Sequence, residues 1–90
     1  MSDVRDNPAQ HRFELDSDGA TAVAYYQRDG DVITFTHTEV PPALSGRGIG
    51  STLARGALDE VRRRGLKAVA RCPFIGGYIA KHPEYADLLL

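Results

Sequence analysis

The stretch Val32-Ile33-Thr34-Phe35-Thr36-His37-Thr38-Glu39-Val40-Pro41-Pro42-Ala43-Leu44-Ser45-Gly46-Arg47-Gly48-Ile49-Gly50-Ser51 changes its period part-way through. Val32 to Val40 is rich in β-branched residues and reads as a strand. Period-2 alternation sets Ile33, Phe35, His37 and Glu39 on one face, and Val32, Thr34, Thr36, Thr38 and Val40 on the other. Pro41-Pro42 stops the strand, because neither residue can donate to a ladder. Three glycines at alternate positions follow, and then the period becomes helical. Ile49, Leu53, Ala57, Leu58 and Val61 form one apolar stripe, opposite Arg55, Asp59, Glu60, Arg62 and Arg63. Asp59–Arg63 and Glu60–Arg64 are acid-before-base pairs at i,i+4. Gly65 is the expected stop just past the helix end.

A strand, a glycine-rich loop and a helix start make an anion site. The first amides of the helix have no internal partners. The helix dipole adds partial positive charge there, and glycines let a phosphate approach the backbone. Arg47 adds a cation. The spacing Gly46-x-Gly48-x-Gly50 is neither the dinucleotide fingerprint nor a Walker A loop. On spacing alone, a turn that binds nothing is as good a reading.

Working outward, Phe13 and Leu15 alternate with Arg12, Glu14 and Asp16 as a half-buried strand. Asp16-Ser17-Asp18-Gly19 has turn chemistry. Ala20 to Gln27 is a second strand, and Asp29-Gly30 signals a hairpin into the third. Lys67 to Cys72 is a short strand. Pro73 suits a helix start, and Phe74 to Lys81 reads as a short helix. His82-Pro83 breaks it, and Glu84 to Leu90 forms a final turn or helix. Residues 1–10 read as a flexible polar arm, and residues 11–90 as a single domain.

Composition narrows the function. Ninety residues suit one small domain and cannot hold separate cofactor and substrate domains. Eleven Lys and Arg against twelve Asp and Glu give a net charge of −1, so no global field draws the chain to nucleic acid or an anionic membrane. Arg62-Arg63-Arg64 fans around a helix, and Asp59 and Glu60 offset it. The single cysteine, Cys72, excludes an internal disulfide and a cysteine-rich zinc site, and makes a cytoplasmic location the default. No apolar run approaches the ~20 residues of a membrane span, and the polar N-terminus has no signal-peptide core.

The segment Val40-Pro41-Pro42, a short spacer and Ser45-Gly46-Arg47-Gly48-Ile49-Gly50 resembles motif A of the GNAT acetyltransferase superfamily, Q/R-x-x-G-x-G/A. Cys72-Pro73-Phe74-Ile75-Gly76-Gly77-Tyr78-Ile79-Ala80-Lys81-His82-Pro83-Glu84-Tyr85 resembles the signature of small YjdJ-type GNAT proteins. The resemblance runs from about Phe13 to Leu89. It implies a reduced GNAT-like α+β fold with a mainly antiparallel sheet. Three N-terminal strands, the glycine loop and a long helix lead to a fourth strand splayed from the third, then a short C-terminal helix.

The resemblance also implies an acetyl-CoA-dependent N-acetyltransferase. Val40 and the loop Ser45, Gly46, Arg47, Gly48, Ile49, Gly50 and Ser51 would bind the cofactor, with the loop amides on its pyrophosphate. Ser45 stands where Gln or Arg is usual, which implies weaker CoA binding. The pantetheine arm would run along Glu39-Val40 and leave the thioester near Cys72. Glu39 stands where the family often carries a catalytic glutamate, or is a solvated strand end; His37 shares its face. Tyr78 would protonate the departing sulfur, or is a half-buried aromatic. Cys72, near a helix start that favours thiolate, could accept the acetyl group, or simply line the channel. Lys81 and His82 would meet CoA phosphates or lie at the surface. The alternative function is a non-catalytic CoA-binding or protein-interaction module. Larger relatives have helices between the first two strands and strands after the last helix. Here the turn Asp16–Gly19 and the end at Leu90 imply a site open on its acceptor side. That suits a protein or another large amine, a completing partner, or no acceptor; a monomer and a dimer are both compatible.

Overall fold

The computed structural model describes residues 3–44 and 46–90. Its described residues form a five-stranded sheet in the order β1-β2-β3-β4-β5. The strands are β1 (Arg5–Asn7), β2 (Arg12–Ser17), β3 (Ala20–Asp29), β4 (Val32–Glu39) and β5 (Lys67–Ala70). The first four run antiparallel to their neighbours, and β5 lies parallel to β4. Helix α1 (Ile49–Arg63) makes the crossover between β4 and β5, and α2 (Pro73–Lys81) follows β5. Short 3-10 turns cover Pro8–Gln10, Pro42–Leu44 and Pro83–Leu88.

The apolar stripe of α1 drives its packing. Leu53, Ala57, Leu58 and Val61 are fully buried against Phe13, Leu15, Ala22, Ala24, Ile33 and Phe35 of the sheet. Ile75, Tyr78 and Ile79 of α2 join the same core, so both helices cover one face. At the end of α1 the Gly65 amide bonds the Arg62 carbonyl and the Leu66 amide bonds that of Val61, the paired bonds of a Schellman stop. Glu60–Arg64 forms as expected, but Arg63 turns to Glu60 instead of Asp59. Asp59 accepts the Tyr85 hydroxyl at 2.6 Å.

Two readings of the sequence need correction. Within the expected arm, Arg5–Asn7 is a strand paired with Arg12–Glu14. Side chains hold it there: Arg5 bonds Asp16 and Glu14, Asn7 bonds Glu14, and Asp6 accepts from Tyr26 and Arg64. The second correction concerns the faces of β4. Tyr26 pairs with Phe35 but Tyr25 pairs with His37, so Thr36 is an extra residue and β4 carries a bulge. Alternation shifts by one residue past it. Ala24, a core residue, lies opposite Thr38, whereas Tyr25 and Val23 lie opposite His37 and Glu39. The helix side therefore receives Ile33, Phe35, Thr38 and Val40, while His37 and Glu39 face away from Phe35.

Candidate functional site

The site forms where β4 loses a neighbour. Its ladder with β5 runs from Val32–Lys67 to Phe35–Ala70 and goes no further. The Phe35 carbonyl then accepts both the Arg71 amide at 3.0 Å and the Cys72 amide at 2.9 Å, after which the chain turns into α2. Thr36 to Glu39 thus continue past the end of β5, and this is the splay expected between the third and fourth sequence strands.

Cys72 sits at that divergence, at the N-cap of α2 and buried. Its Sγ lies 3.1 Å from Thr38 Oγ1. Thr38 is a candidate that the sequence reading missed; the bulge at Thr36 turns it to this side. On the opposite face His37 Nε2 stands 3.4 Å from Glu39 Oε2, and both side chains are largely exposed. The sheet therefore separates Glu39 from Cys72 by face, at nearly the same level along β4.

Gly46 (φ 81°) and Gly48 (φ 70°) are both left-handed, a conformation that strains any residue with a side chain. Gly48 is the N-cap of α1 and offers no capping side chain. The first free amides of a 15-residue helix are left for an external acceptor. Arg47 is exposed and paired with Asp18 in the β2–β3 turn. Ile49 is half-buried, Gly50 buried and Ser51 exposed. Ser45 lies outside the described residues. Phe74 at the start of α2 packs on Gly50, where an added Cβ would lie 2.6 Å from its ring. The two helix starts therefore adjoin, and Cys72 is at one of them. Between them Ser51, Phe74, Gly77, Tyr78, Lys81 and His82 line a groove of about 210 Å³.

Tyr78 is buried, stacked on His82 at 4.1 Å and tilted against Tyr85 at 6.0 Å. Burial pushes its hydroxyl up from the ordinary value, Arg55 opposes this, and Glu84 and Asp59 add to it. The hydroxyl therefore stays protonated at neutral pH. Val40 packs against the core at the end of β4. The glycine loop, Thr38–Cys72 and the α2 groove lie on the helix side, while His37–Glu39 lies on the open side. No group of three or more His, Cys, Asp or Glu suited to a metal ion occurs among the described residues.

A strand that outruns its neighbour, an uncapped glycine loop and a second helix start beside it define an α+β fold with an anion-ready loop. Residues 12–88 match the family described as GCN5-related N-acetyl-transferase, and the chain belongs to that family. It is similar to Protein NATD1 of Mus musculus and of Homo sapiens, 43% identical to each over 71 residues, or 76% of this chain. The matched stretch is 64% of the mouse protein and 63% of the human one, so the chain spans less than two thirds of these relatives. The Danio rerio NATD1 is 34% identical over 84 residues, 90% of this chain and 76% of that protein. Among solved structures, a GCN5-like protein from Staphylococcus aureus superimposes with a TM-score of 0.73 at 28% identity, covering 100% of this chain and 91% of that one. No helix among the described residues is long and apolar enough to cross a membrane.

Proposed function

We propose that this protein is an acetyl-CoA-dependent N-acetyltransferase of the small YjdJ type. The observation that carries the reading is the loop before α1. Two left-handed glycines and an N-cap without a side chain leave helix amides open to an anion, directly after the strand that outruns β5. These residues fit a pyrophosphate. Val40, Gly46, Arg47, Gly48, Ile49, Gly50 and Ser51 would hold the cofactor with Ser45, and Lys81 in the α2 groove would meet a further phosphate. When bound, acetyl-CoA supplies a thioester carbonyl at which a C–N bond forms as the C–S bond breaks.

The chain's own groups handle the protons. Glu39, exposed beside His37, takes the proton that the attacking amine must lose. Tyr78, held protonated by burial, is the donor for the leaving thiolate. Cys72, beside Thr38, is the candidate for a covalent relay. The protein would act in the cytoplasm on an amine acceptor.

Calorimetry with acetyl-CoA tests the reading, and no heat at high micromolar concentration removes it. Label transferred from acetyl-CoA to an amine demonstrates catalysis. Transfer that persists undiminished in Cys72→Ala excludes the covalent relay. A second reading, a CoA-binding or interaction module without turnover, is favoured by Ser45 at the usual Gln/Arg position and by Arg47 engaged with Asp18. Binding without transfer to an amine or to the protein itself supports it.

A further inference from the structure

The open face of the sheet carries opposite charges on the two banks of the gap between β4 and β5. On the β4 bank stand His37 and Glu39, whose side chains are 63% and 59% exposed. On the β5 bank stands Arg71. Its neighbours Ala70 and Cys72 both pack toward the core, so alternation sends Arg71 to the open face, where it is exposed. Arg5, Arg12, Arg47, Arg62, Arg63 and Arg64 each hold a carboxylate. Arg71 holds none among the described residues.

The open face over β3 and β4, beside this gap, is concave. Gln27, Arg28, Asp29, Thr34, Thr36 and Arg71 line a groove of about 380 Å³. An adjoining groove of about 570 Å³ includes Tyr25, Thr36 and His37 and shares Gln27 and Arg28 with the first. The two meet at Thr36, the bulge residue, so one trough leads from His37 to Arg71. Both volumes fall in the range of small-ligand sites. At the Arg71 end two guanidiniums outweigh the one carboxylate, Asp29. At the other end His37 presents an imidazole, with the Tyr25 ring parallel to it and Arg12 above Tyr25. Glu39 stands 3.4 Å beyond His37, in a neighbouring groove that shares Tyr25. Arg12 is committed to Glu14 and to the Tyr25 hydroxyl.

We propose that the acceptor is a small zwitterion, a primary amine carrying a carboxylate, with its nitrogen at His37–Glu39 and its carboxylate on Arg71. This rests on the acetyltransferase reading above. A guanidinium takes a carboxylate through two parallel hydrogen bonds, and an exposed carboxylate beside an imidazole takes an ammonium group. Beyond Phe35–Ala70 the strands are no longer paired, and Arg71, whose amide bonds the Phe35 carbonyl, stands one residue short of His37 along β4. The span therefore exceeds the about 4.8 Å of paired strands and suits an amine and a carboxylate several bonds apart, as in an ω-amino acid.

The test titrates the isotope-labelled full chain, with and without CoA, while amide resonances of Thr34, Thr36, His37 and Arg71 are followed. The probes are 4-aminobutyrate against butylamine and 5-aminopentanoate against pentylamine, pairs in which a methyl group replaces the carboxylate. The carboxylated amines are expected to half-saturate at about tenfold lower concentration, the scale of one charge-assisted hydrogen bond. Arg71→Ala abolishes that preference and Arg71→Lys restores part of it; Arg71 is exposed, so neither change disturbs the core. Equal half-saturation within each pair, or a preference that survives Arg71→Ala, overturns the proposal. So does faster acetyl transfer to a lysine peptide without a nearby carboxylate than to the zwitterions. Failure to bind acetyl-CoA removes the function proposed above, whereas the titration without CoA measures the carboxylate preference independently of it.

Discussion

The two halves of β4 obey different rules. Val32 to Phe35 is bonded on both sides, to β3 and to β5, and sends Ile33 and Phe35 into the core. Thr36 to Glu39 is bonded on one side, begins with a bulge, and carries mostly exposed side chains. The first half is built for stability. The second half has backbone and side chains to spare, and every candidate group for acyl transfer except Tyr78 lies on it or against it. One inserted residue makes the difference: it breaks alternation, so Thr38 meets Cys72 on one face while His37 and Glu39 reach the other.

The strongest way to break this contrast is to treat both halves alike. Phe35→Ala should cost about 3–5 kcal/mol, because the ring is fully buried, and urea unfolding measures it. Glu39→Gln should lower kcat/KM about 100-fold, the scale of general base catalysis, while shifting stability by about 0.5 kcal/mol or less. If instead Glu39→Gln unfolds the protein, the second half is structural and the contrast fails. Gly48→Ala, where the strand's continuation enters α1, should cost about 1–2 kcal/mol from its left-handed backbone and weaken acetyl-CoA binding in calorimetry. Thr38→Val should cost about 1 kcal/mol or less through loss of the Cys72 contact, and should alter the rate at which a thiol reagent modifies Cys72.

The smallest effect compares two carboxylates in one cross-strand row, where Val23 pairs with both Glu14 and Glu39. Glu14 is buried, and the Arg12 hydrogen bond, opposed by burial and helped by Asn7 and Arg5, holds its pKa below the ordinary 4.5. A carboxylate with a lowered folded pKa stabilises fully above its unfolded value and loses that contribution as pH falls through the folded one. The stability gap between the wild type and Glu14→Gln should therefore narrow between about pH 6 and about pH 3. A gap independent of pH would show that Glu14 contributes only packing.

Elements with a strong local signal were legible in the sequence. The apolar stripe of α1, its Gly65 stop, the hairpin at Asp29-Gly30 and the glycine loop depend on residues close in the chain. Strand β1 was not legible: three polar residues have no apolar period, and its strand character comes from ion pairs to Glu14, Asp16 and Arg64, distant in sequence. The site was legible as residues but not as faces. Glu39, Cys72, Tyr78 and the loop stand out by type and position, yet period-2 reading assigns His37 and Glu39 to the face of Phe35. A bulge carries no mark in the residues themselves, because Thr36 suits a regular strand as well as a bulged one.

The sequence by itself determined the helix, the turns and the anion-ready loop, since backbone preference and hydrophobic period act over a few residues. Tertiary structure decided which side of the sheet each β4 residue faces, where β5 stops, and that Thr38 meets Cys72 while Arg71 shares a groove with Thr36. Those outcomes depend on the register between strands and on where one strand outruns its neighbour. Hydrogen bonds across the sheet set that register, and no single strand contains them.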